Sequence, residues 1–138
     1  MNIYLHAEVS TRELDSKILL AVLAASKGHQ VIISDLNGIR KGLLNGLLSP
    51  GIFHTKSLTP NDEKIGIHNL LVNNGFKITS IDEEGGLLEK GYSDFAKTRY
   101  SEQSINQASA IFGWGDEDTG SLKKIYSKYS DKIYKTGS

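Results

Sequence analysis

The sequence predicts an α/β protein with a doubly wound sheet of five or six mostly parallel strands. Residues 2–36 read as a strand, a polar loop, a helix and a second strand, a length that favours a right-handed βαβ unit with parallel strands. The rest of the chain keeps alternating short apolar segments with amphipathic ones, as α/β folds do. With 138 residues and a hydrophobic fraction of 38%, the chain is expected to form one domain over residues 1–138.

The first βαβ unit has clear helix boundary signals. Residues 2–9 form the predicted first strand, and Ser10 with Glu13 has the spacing of a capping box, so a helix is expected to begin there. Gly28 ends this helix, and residues 30–36 form the second strand. A stripe at helical spacing is predicted to be buried: Leu14, Ile18, Val22 and Ala25.

The middle of the chain predicts two more helices and two more strands. After a turn at residues 37–38 comes a short helix, followed by a strand at residues 51–58. Residues 59–62 open the next helix with proline and acidic side chains in favoured positions. Residues 76–81 alternate as a strand, and residues 82–86 form an acidic loop. The apolar faces of the two helices are predicted to be Ile39, Leu43, Leu44, Leu47 and Leu48, then Ile65, Ile67, Leu70, Leu71 and Val72.

The last third predicts a final pair of strands among polar helices. Residues 110–114 form a short buried strand, residues 115–119 an acidic turn, residues 121–129 a helix and residues 132–135 the last strand. One or two helices are expected in residues 92–109, with three buried side chains: Phe95, Tyr100 and Ile105.

Composition excludes several classes of protein. No apolar run approaches the roughly 20 residues of a membrane-spanning helix, and the N-terminus lacks the pattern of a secretory signal. The absence of cysteine removes disulfides and thiolate metal sites and fits a reducing cytoplasm. Sixteen basic side chains balance sixteen acidic ones, so the sequence shows no basic surface for a nucleic acid.

Polar residues follow the predicted strands at their carboxyl ends, where open parallel sheets bind ligands. The predicted edge is polar and rather acidic, and its members are Glu8, Ser10, Thr11, Arg12, Glu13, Asp35, Asn37, His54, Lys56, Asp82, Glu83, Glu84, Trp114, Asp116, Glu117 and Asp118. The first of these loops has no glycine, which argues against a phosphate-binding loop there. Carboxylates instead suit hydroxyl-rich ligands such as sugars, because they accept hydrogen bonds from hydroxyl groups.

Each of these features also has a purely structural interpretation. Glu13 can be the acid of a capping box, and Glu8 with Arg12 can form a surface ion pair. The carboxylates of residues 82–84 repel one another unless a cation or a donor-rich ligand meets them, yet a solvated loop explains them equally well. A divalent metal held there with Asp116 or Asp118 is a weaker alternative, because no histidine lies near in sequence. No metal is therefore assigned.

Several segments occur along the chain in the order that is typical of one protein family, and together they span nearly the whole chain. They are Glu8 followed by Arg12-Glu13-Leu14-Asp15, the helix end Lys27-Gly28-His29 with Gln30-Val31-Ile32-Ile33, then Ile81-Asp82-Glu83-Glu84-Gly85, Phe112-Gly113-Trp114-Gly115 and the closing KIYKTGS. This ordered combination resembles the N-terminal module of bacterial surface-carbohydrate biosynthesis proteins. It is most similar to the retaining β-Kdo glycosyltransferases, which transfer 3-deoxy-D-manno-octulosonic acid (Kdo) from CMP-β-Kdo to a lipopolysaccharide O-antigen or capsule glycan.

The resemblance implies a GT-B-like enzyme in which two Rossmann-like domains face each other across a cleft. This chain would be the N-terminal, acceptor-side half, inactive alone, with the CMP-sugar held by a missing C-terminal domain. No cofactor is expected, and the compartment is the cytoplasm, with peripheral attachment at the inner membrane as a further expectation. The cleft residues are then Glu8, Arg12, Glu13, Asp82, Glu83 and Glu84, with Arg12 pairing with a sugar carboxylate. No catalytic nucleophile is assigned.

Three other functions stay open on the sequence. The chain can be a freestanding sugar- or metabolite-binding α/β module, or part of a transferase that uses another activated sugar. A receiver-like signalling domain is the third, because Asp35 follows a strand. The first strand lacks the adjacent acidic pair that would hold magnesium in such a domain.

Overall fold

The computed structural model describes residues 1–85 and 90–137, and over those residues it alternates six strands with six α-helices. The strands are β1 (Asn2–His6), β2 (Gln30–Ser34), β3 (Ile52–Thr55), β4 (Lys77–Ile81), β5 (Ala108–Gly113) and β6 (Ile133–Lys135). The helices are α1 (Ser10–Ser26), α2 (Leu36–Leu44), α3 (Asp62–Asn73), α4 (Tyr92–Arg99), α5 (Glu102–Gln107) and α6 (Asp116–Ile125), and a 3-10 helix, Ser127–Lys132, precedes β6.

All six strands pair in parallel in one sheet, in the order β2-β1-β3-β4-β5-β6. The predicted fold class, a Rossmann-like doubly wound α/β sheet, is confirmed. The direction of winding reverses between β1 and β3, because the chain moves from β1 outward to β2 and then returns past β1 to β3. Loops after β1 and β3 therefore diverge and leave a crevice at the carboxyl ends of these two strands.

One face of the sheet carries the hydrophobic core. Side chains from every strand except β2 point to this face, where α2 to α6 cover them, and the following are at most 2% exposed: Tyr4, Phe53, Ile78, Ile111 and Ile133. The helices contribute Ile39, Ile67, Leu71, Phe95, Ile105 and Leu122. Burial of Phe95, Tyr100 and Ile105 confirms the prediction for the last third of the chain.

Helix α1 lies on the opposite face, because right-handed crossovers that run in opposite directions place their helices on opposite sides of a sheet. The prediction of which face of α1 is buried is wrong, because the helix is rotated about its axis relative to that prediction. Ile18 is 45% exposed and Val22 is 60% exposed, whereas Glu13 and Lys17 are buried. The side chains of α1 that face solvent are Ile18, Leu19, Leu20, Val22 and Leu23.

Several predicted boundaries also differ from the structure. Val9 is the N-cap of α1, one residue before the predicted position. Residues 37–38 lie inside α2, whose N-cap Asp35 accepts a hydrogen bond from the Gly38 amide, so the predicted turn there is wrong. Residues 116–119 likewise belong to α6, with Gly115 as its N-cap, so the separate turn predicted at residues 115–119 is wrong. No helix in the described part of the chain has the length and apolarity to cross a bilayer.

Candidate functional site

A cavity of about 200 Å³ opens at the crevice between β1 and β3, beside the end of β4. All ten side chains that line it are polar or charged: Arg12, Glu13, Lys56, Ser57, Thr59, Asn61, Lys64, Glu83, Glu84 and Arg99. The loops after the adjacent strands β3 and β4 supply six of them, and α1, α3 and α4 supply the other four. We call this the edge cavity.

Glu13 organises the wall of the edge cavity next to β1. Its side chain is 2% exposed, and its Oε2 accepts hydrogen bonds from the backbone amides of Glu8 at 2.8 Å and Val9 at 3.2 Å. Its Oε1 accepts from Lys56 Nζ at 2.9 Å and from an Arg12 Nη at 3.3 Å. Burial opposes ionisation, but these donors outweigh it and lower the pKa of Glu13 to about 2.

Lys56 links the loops after β1 and β3. Its Nζ lies 3.0 Å from Glu8 Oε2 and 2.9 Å from Glu13 Oε1. Burial would lower the pKa of Lys56, and the two carboxylates more than compensate, so its pKa is raised. The other oxygen of Glu8 lies 3.1 Å from His6 Nε2. Glu8 does not line the edge cavity. Its role there is indirect, because it orients Lys56, which does line the cavity.

Asp82 and Arg99 form a bidentate pair on the β4 side. The Nε and one Nη of Arg99 donate to the two oxygens of Asp82, each at 3.0 Å, and its other Nη lies 3.0 Å from Glu84 Oε2. Trp114 Nε1 donates to the carbonyl oxygen of Asp82 at 2.6 Å. A Cβ on Gly85 would lie 2.6 Å from that indole nitrogen, so the turn requires glycine there.

A second cavity of about 340 Å³ lies on the α1 face of the sheet and shares Arg12 and Glu83 with the edge cavity. Its remaining lining is more apolar: Ser16, Lys17, Leu20, His54, Ile81 and Trp114. The buried ammonium of Lys17 forms an ion pair with Glu83. Burial lowers the pKa of His54 to about 4, with the Lys17 charge adding to the effect, so its imidazole is neutral at pH 7.

Among the residues that the structure describes, Lys64 is the cation of the edge cavity that forms no ion pair with a carboxylate. Its Nζ donates to Ser57 Oγ at 2.6 Å, and none of the described ion pairs includes it. It stands in the first turn of α3, and its backbone amide donates to the N-cap Asn61. Burial lowers the pKa of Lys64; Arg99 and Lys56 act in the same direction, whereas Glu8 and Asp82 oppose them.

The structure brings the six predicted cleft residues to one end of the sheet. Arg12, Glu13, Glu83 and Glu84 line the edge cavity, while Glu8 and Asp82 lie behind it and hold Lys56 and Arg99. The prediction of an acidic edge needs correction at this cavity, because its lining carries four cations against three carboxylates. Gly86, the last residue of the predicted acidic loop, lies outside the described residues.

The structure also bears on two alternatives considered for the sequence, an ion pair of Glu8 with Arg12 and a metal site that includes Asp116 or Asp118. Glu8 pairs with Lys56 and His6, whereas Arg12 lies near Glu13 and Glu84, so the predicted pair of Glu8 with Arg12 is not among the described contacts. Asp116 pairs with Lys135 instead, and Asp118 accepts from the Trp114 amide at 2.8 Å. Within residues 1–85 and 90–137, no three carboxylate or imidazole side chains are arranged to hold a metal ion.

Sequence reasoning placed Lys56 at the sheet edge without its partners, and it missed Lys64 and Arg99. Lys56 follows β3 directly, so its position at the sheet edge could be predicted, although its ion pairs with Glu8 and Glu13 could not. Lys64 had one available signal, a positive charge in the first turn of a helix that otherwise begins with acids. Arg99 had none, since it reaches Asp82 from the end of a helix 17 residues away.

Comparison of the chain with models of protein families, with curated proteins and with solved structures gave no match.

Proposed function

We propose that the edge cavity binds an anionic sugar and that the chain is the acceptor-side module of a Kdo-type glycosyltransferase. The observation that carries this proposal is the composition of the cavity wall. Its lining is polar throughout, with four cations, three carboxylates, two hydroxyls and one amide. Hydroxyl-rich ligands with a negative group match such a surface, whereas a nucleobase or a lipid chain would need apolar contacts.

Arg12 is the residue that we assign to a sugar carboxylate. Its side chain is 58% exposed, and one Nη lies 3.3 Å from Glu13 and 3.9 Å from Glu84. The planar guanidinium has five N–H donors, so it keeps donors for a bidentate contact while these neighbours hold its orientation.

Glu84 is the residue that we assign to sugar hydroxyls. It is 41% exposed, and Arg99 fixes one of its oxygens at 3.0 Å. Glu83 also lines the cavity, but its ion pair with the buried Lys17 gives it a structural role as well. A carboxylate that is both exposed and oriented can accept hydroxyl protons in hydrogen bonds without the entropy loss of ordering a free side chain.

The first test is binding of methyl β-Kdo glycoside by the chain, measured by calorimetry or NMR titration. We expect Arg12→Ala to weaken binding at least tenfold, because it removes a charge-assisted contact. Arg40→Ala is the matched control, since Arg40 is an exposed arginine of α2 outside the edge cavity. Equal affinity of the wild type and Arg12→Ala, or equal binding of a neutral galactoside, would contradict the assignment.

The second test concerns transfer. In a polypeptide that joins this chain to a CMP-sugar-binding domain, Arg12→Ala and Glu84→Gln should lower Kdo transfer from CMP-β-Kdo to an O-antigen-like glycan. The chain alone should give no transfer. A freestanding binding module is the second candidate, favoured by the fact that one chain supplies the whole lining of the edge cavity. Binding without any transfer in the joined polypeptide would favour that candidate.

A further inference from the structure

We propose that Lys64 and Ser57 form an oxyanion subsite in the edge cavity, which takes the carboxylate or phosphate group of the bound ligand. The inference rests on the proposed function in treating this cavity as the binding site, and it deepens that function by naming the residues that read the negative charge. Arg12, which lines the same cavity, then contributes a second cation to the anion.

The first observation is the difference between Lys64 and the other cations of the cavity. Lys56 lies within 3.0 Å of two carboxylates, and Arg99 contacts Asp82 and Glu84 at 3.0 Å. Arg12 lies 3.3 Å from Glu13. In the part of the chain that the structure describes, the Lys64 ammonium has only the Ser57 hydroxyl as a polar side-chain partner, at 2.6 Å.

The second observation is the state of Ser57. Ser57 is only 3% exposed. Its Oγ accepts a hydrogen bond from Lys64 Nζ and a second, at 3.4 Å, from Thr59 Oγ1. Across residues 1–85 and 90–137, no hydrogen bond uses the hydroxyl hydrogen of Ser57 as donor. A buried hydroxyl with an unused hydrogen next to an ammonium without an anion offers two donors to the same oxyanion.

The third observation is that the position of Lys64 is electrostatically unfavourable in the free protein. A cation in the first turn of a helix opposes the helix dipole, and partial burial of an ammonium removes part of its hydration. Lys56 and Arg99 add further positive charge nearby, and Glu8 and Asp82, which act in the opposite direction, form no ion pair with Lys64 among the described residues. A residue that breaks local rules is most often kept for function, and here an anion bound beside the ammonium would compensate its charge directly.

These observations limit the chemistry of the ligand group. An oxyanion with at least two oxygens can accept from the ammonium and from the Ser57 hydroxyl together, and it gains a favourable interaction with the N-terminus of α3, whose N-cap Asn61 lines the same cavity. A sugar carboxylate and a phosphate ester both satisfy this description. A neutral or cationic group does not.

The test is an NMR titration of the chain with inorganic phosphate and, separately, with methyl β-Kdo glycoside. We expect Lys64→Gln to weaken both affinities at least tenfold, and Lys64→Arg to restore most of the loss because it keeps the charge. Lys41→Gln, which removes an exposed lysine of α2, should change them less than twofold. Unchanged affinity for both probes in Lys64→Gln would overturn the inference.

Thermal unfolding separates a binding role from a structural one. Without added anion, Lys64→Gln should unfold at a higher midpoint than the wild type, because the substitution removes a poorly placed charge. Phosphate should raise the midpoint of the wild type and leave that of Lys64→Gln unchanged. A lower midpoint of Lys64→Gln in the absence of anion would overturn the inference, since it would mean that the ammonium stabilises the fold.

The two proposals fail in distinguishable ways. If phosphate binds through Lys64 and the Kdo glycoside does not bind at all, the oxyanion subsite stands and the proposed function falls. If the Kdo glycoside binds with a dependence on Arg12 but not on Lys64, the proposed function stands and the oxyanion subsite falls.

Discussion

Glu13 is the single side chain on which the geometry of the edge cavity depends most. Its two oxygens accept from two backbone amides, an ammonium and a guanidinium, so one buried carboxylate fixes the loop after β1, the cation after β3 and the direction of Arg12. Because all four donors favour the ionised form, Glu13 stays charged in the folded protein far below the pH at which it protonates in the unfolded chain.

The lowered pKa of Glu13 predicts that the free energy of unfolding decreases at acidic pH. Folding lowers the pKa of Glu13 from 4.5 to about 2, so its contribution is fully present above pH 4.5 and is lost as the pH falls towards 2. Glu13→Gln should lower the free energy of unfolding at pH 7 by on the order of 3 kcal/mol. In urea unfolding at several pH values, the difference from the wild type should narrow steadily below pH 4.5.

Asp15→Asn is the control, because Asp15 is an exposed acid of the same helix and should shift the free energy of unfolding by less than about 0.5 kcal/mol at every pH. A difference between the wild type and Glu13→Gln that stays constant from pH 7 to pH 3 would contradict the role that we assign to the carboxylate.

At the scale of elements, α1 is where sequence and structure disagree most. Apolar residues occur around most of this helix, so helical spacing alone allowed more than one stripe. The structure turns Glu13 and Lys17 inward, because the carboxylate caps the helix start and the ammonium pairs with Glu83 of the loop after β4. Contacts with distant segments thus set the rotation of the helix, and Ile18 and Val22, which helical spacing predicted to be buried, face outward.

Two leucine substitutions test this orientation of α1. Leu23 is 53% exposed on α1, whereas Leu71 of α3 is fully buried in the core. Leu23→Ala should change the free energy of unfolding by less than about 0.5 kcal/mol. Leu71→Ala, the same change of side chain in another helix, should cost about 2 to 5 kcal/mol. Similar losses in the two variants, measured by urea unfolding, would mean that the outward face of α1 is covered.

At the scale of the whole molecule, the alternation of elements predicted the fold class well, because periodicity and capping signals are local. Asn61 and the buried Phe95, for instance, were predictable from their immediate neighbours. Strand order depends on pairing between distant segments, which no local pattern specifies. It is strand order that creates the crevice between β1 and β3.

The candidate site was predictable only in part for the same reason. Residues that directly follow strands, such as Glu8 and Asp82, could be placed at the sheet edge from the strand pattern alone. The residues that pair with them could not be predicted in this way. Lys64 and Arg99 reach the edge from helices, and their contacts with Ser57 and Asp82 depend on packing between segments that are far apart in sequence.

Binding of an anionic sugar in the edge cavity is tested most directly by amide chemical-shift mapping with methyl β-Kdo glycoside. The proposed site predicts that the largest perturbations fall on residues 8–13, 56–64 and 82–84, saturate with ligand concentration, and require at least tenfold more ligand in Arg12→Ala. Perturbations that spread over the exposed face of α1 instead, or that fail to saturate while the protein stays folded, would contradict sugar binding at this site.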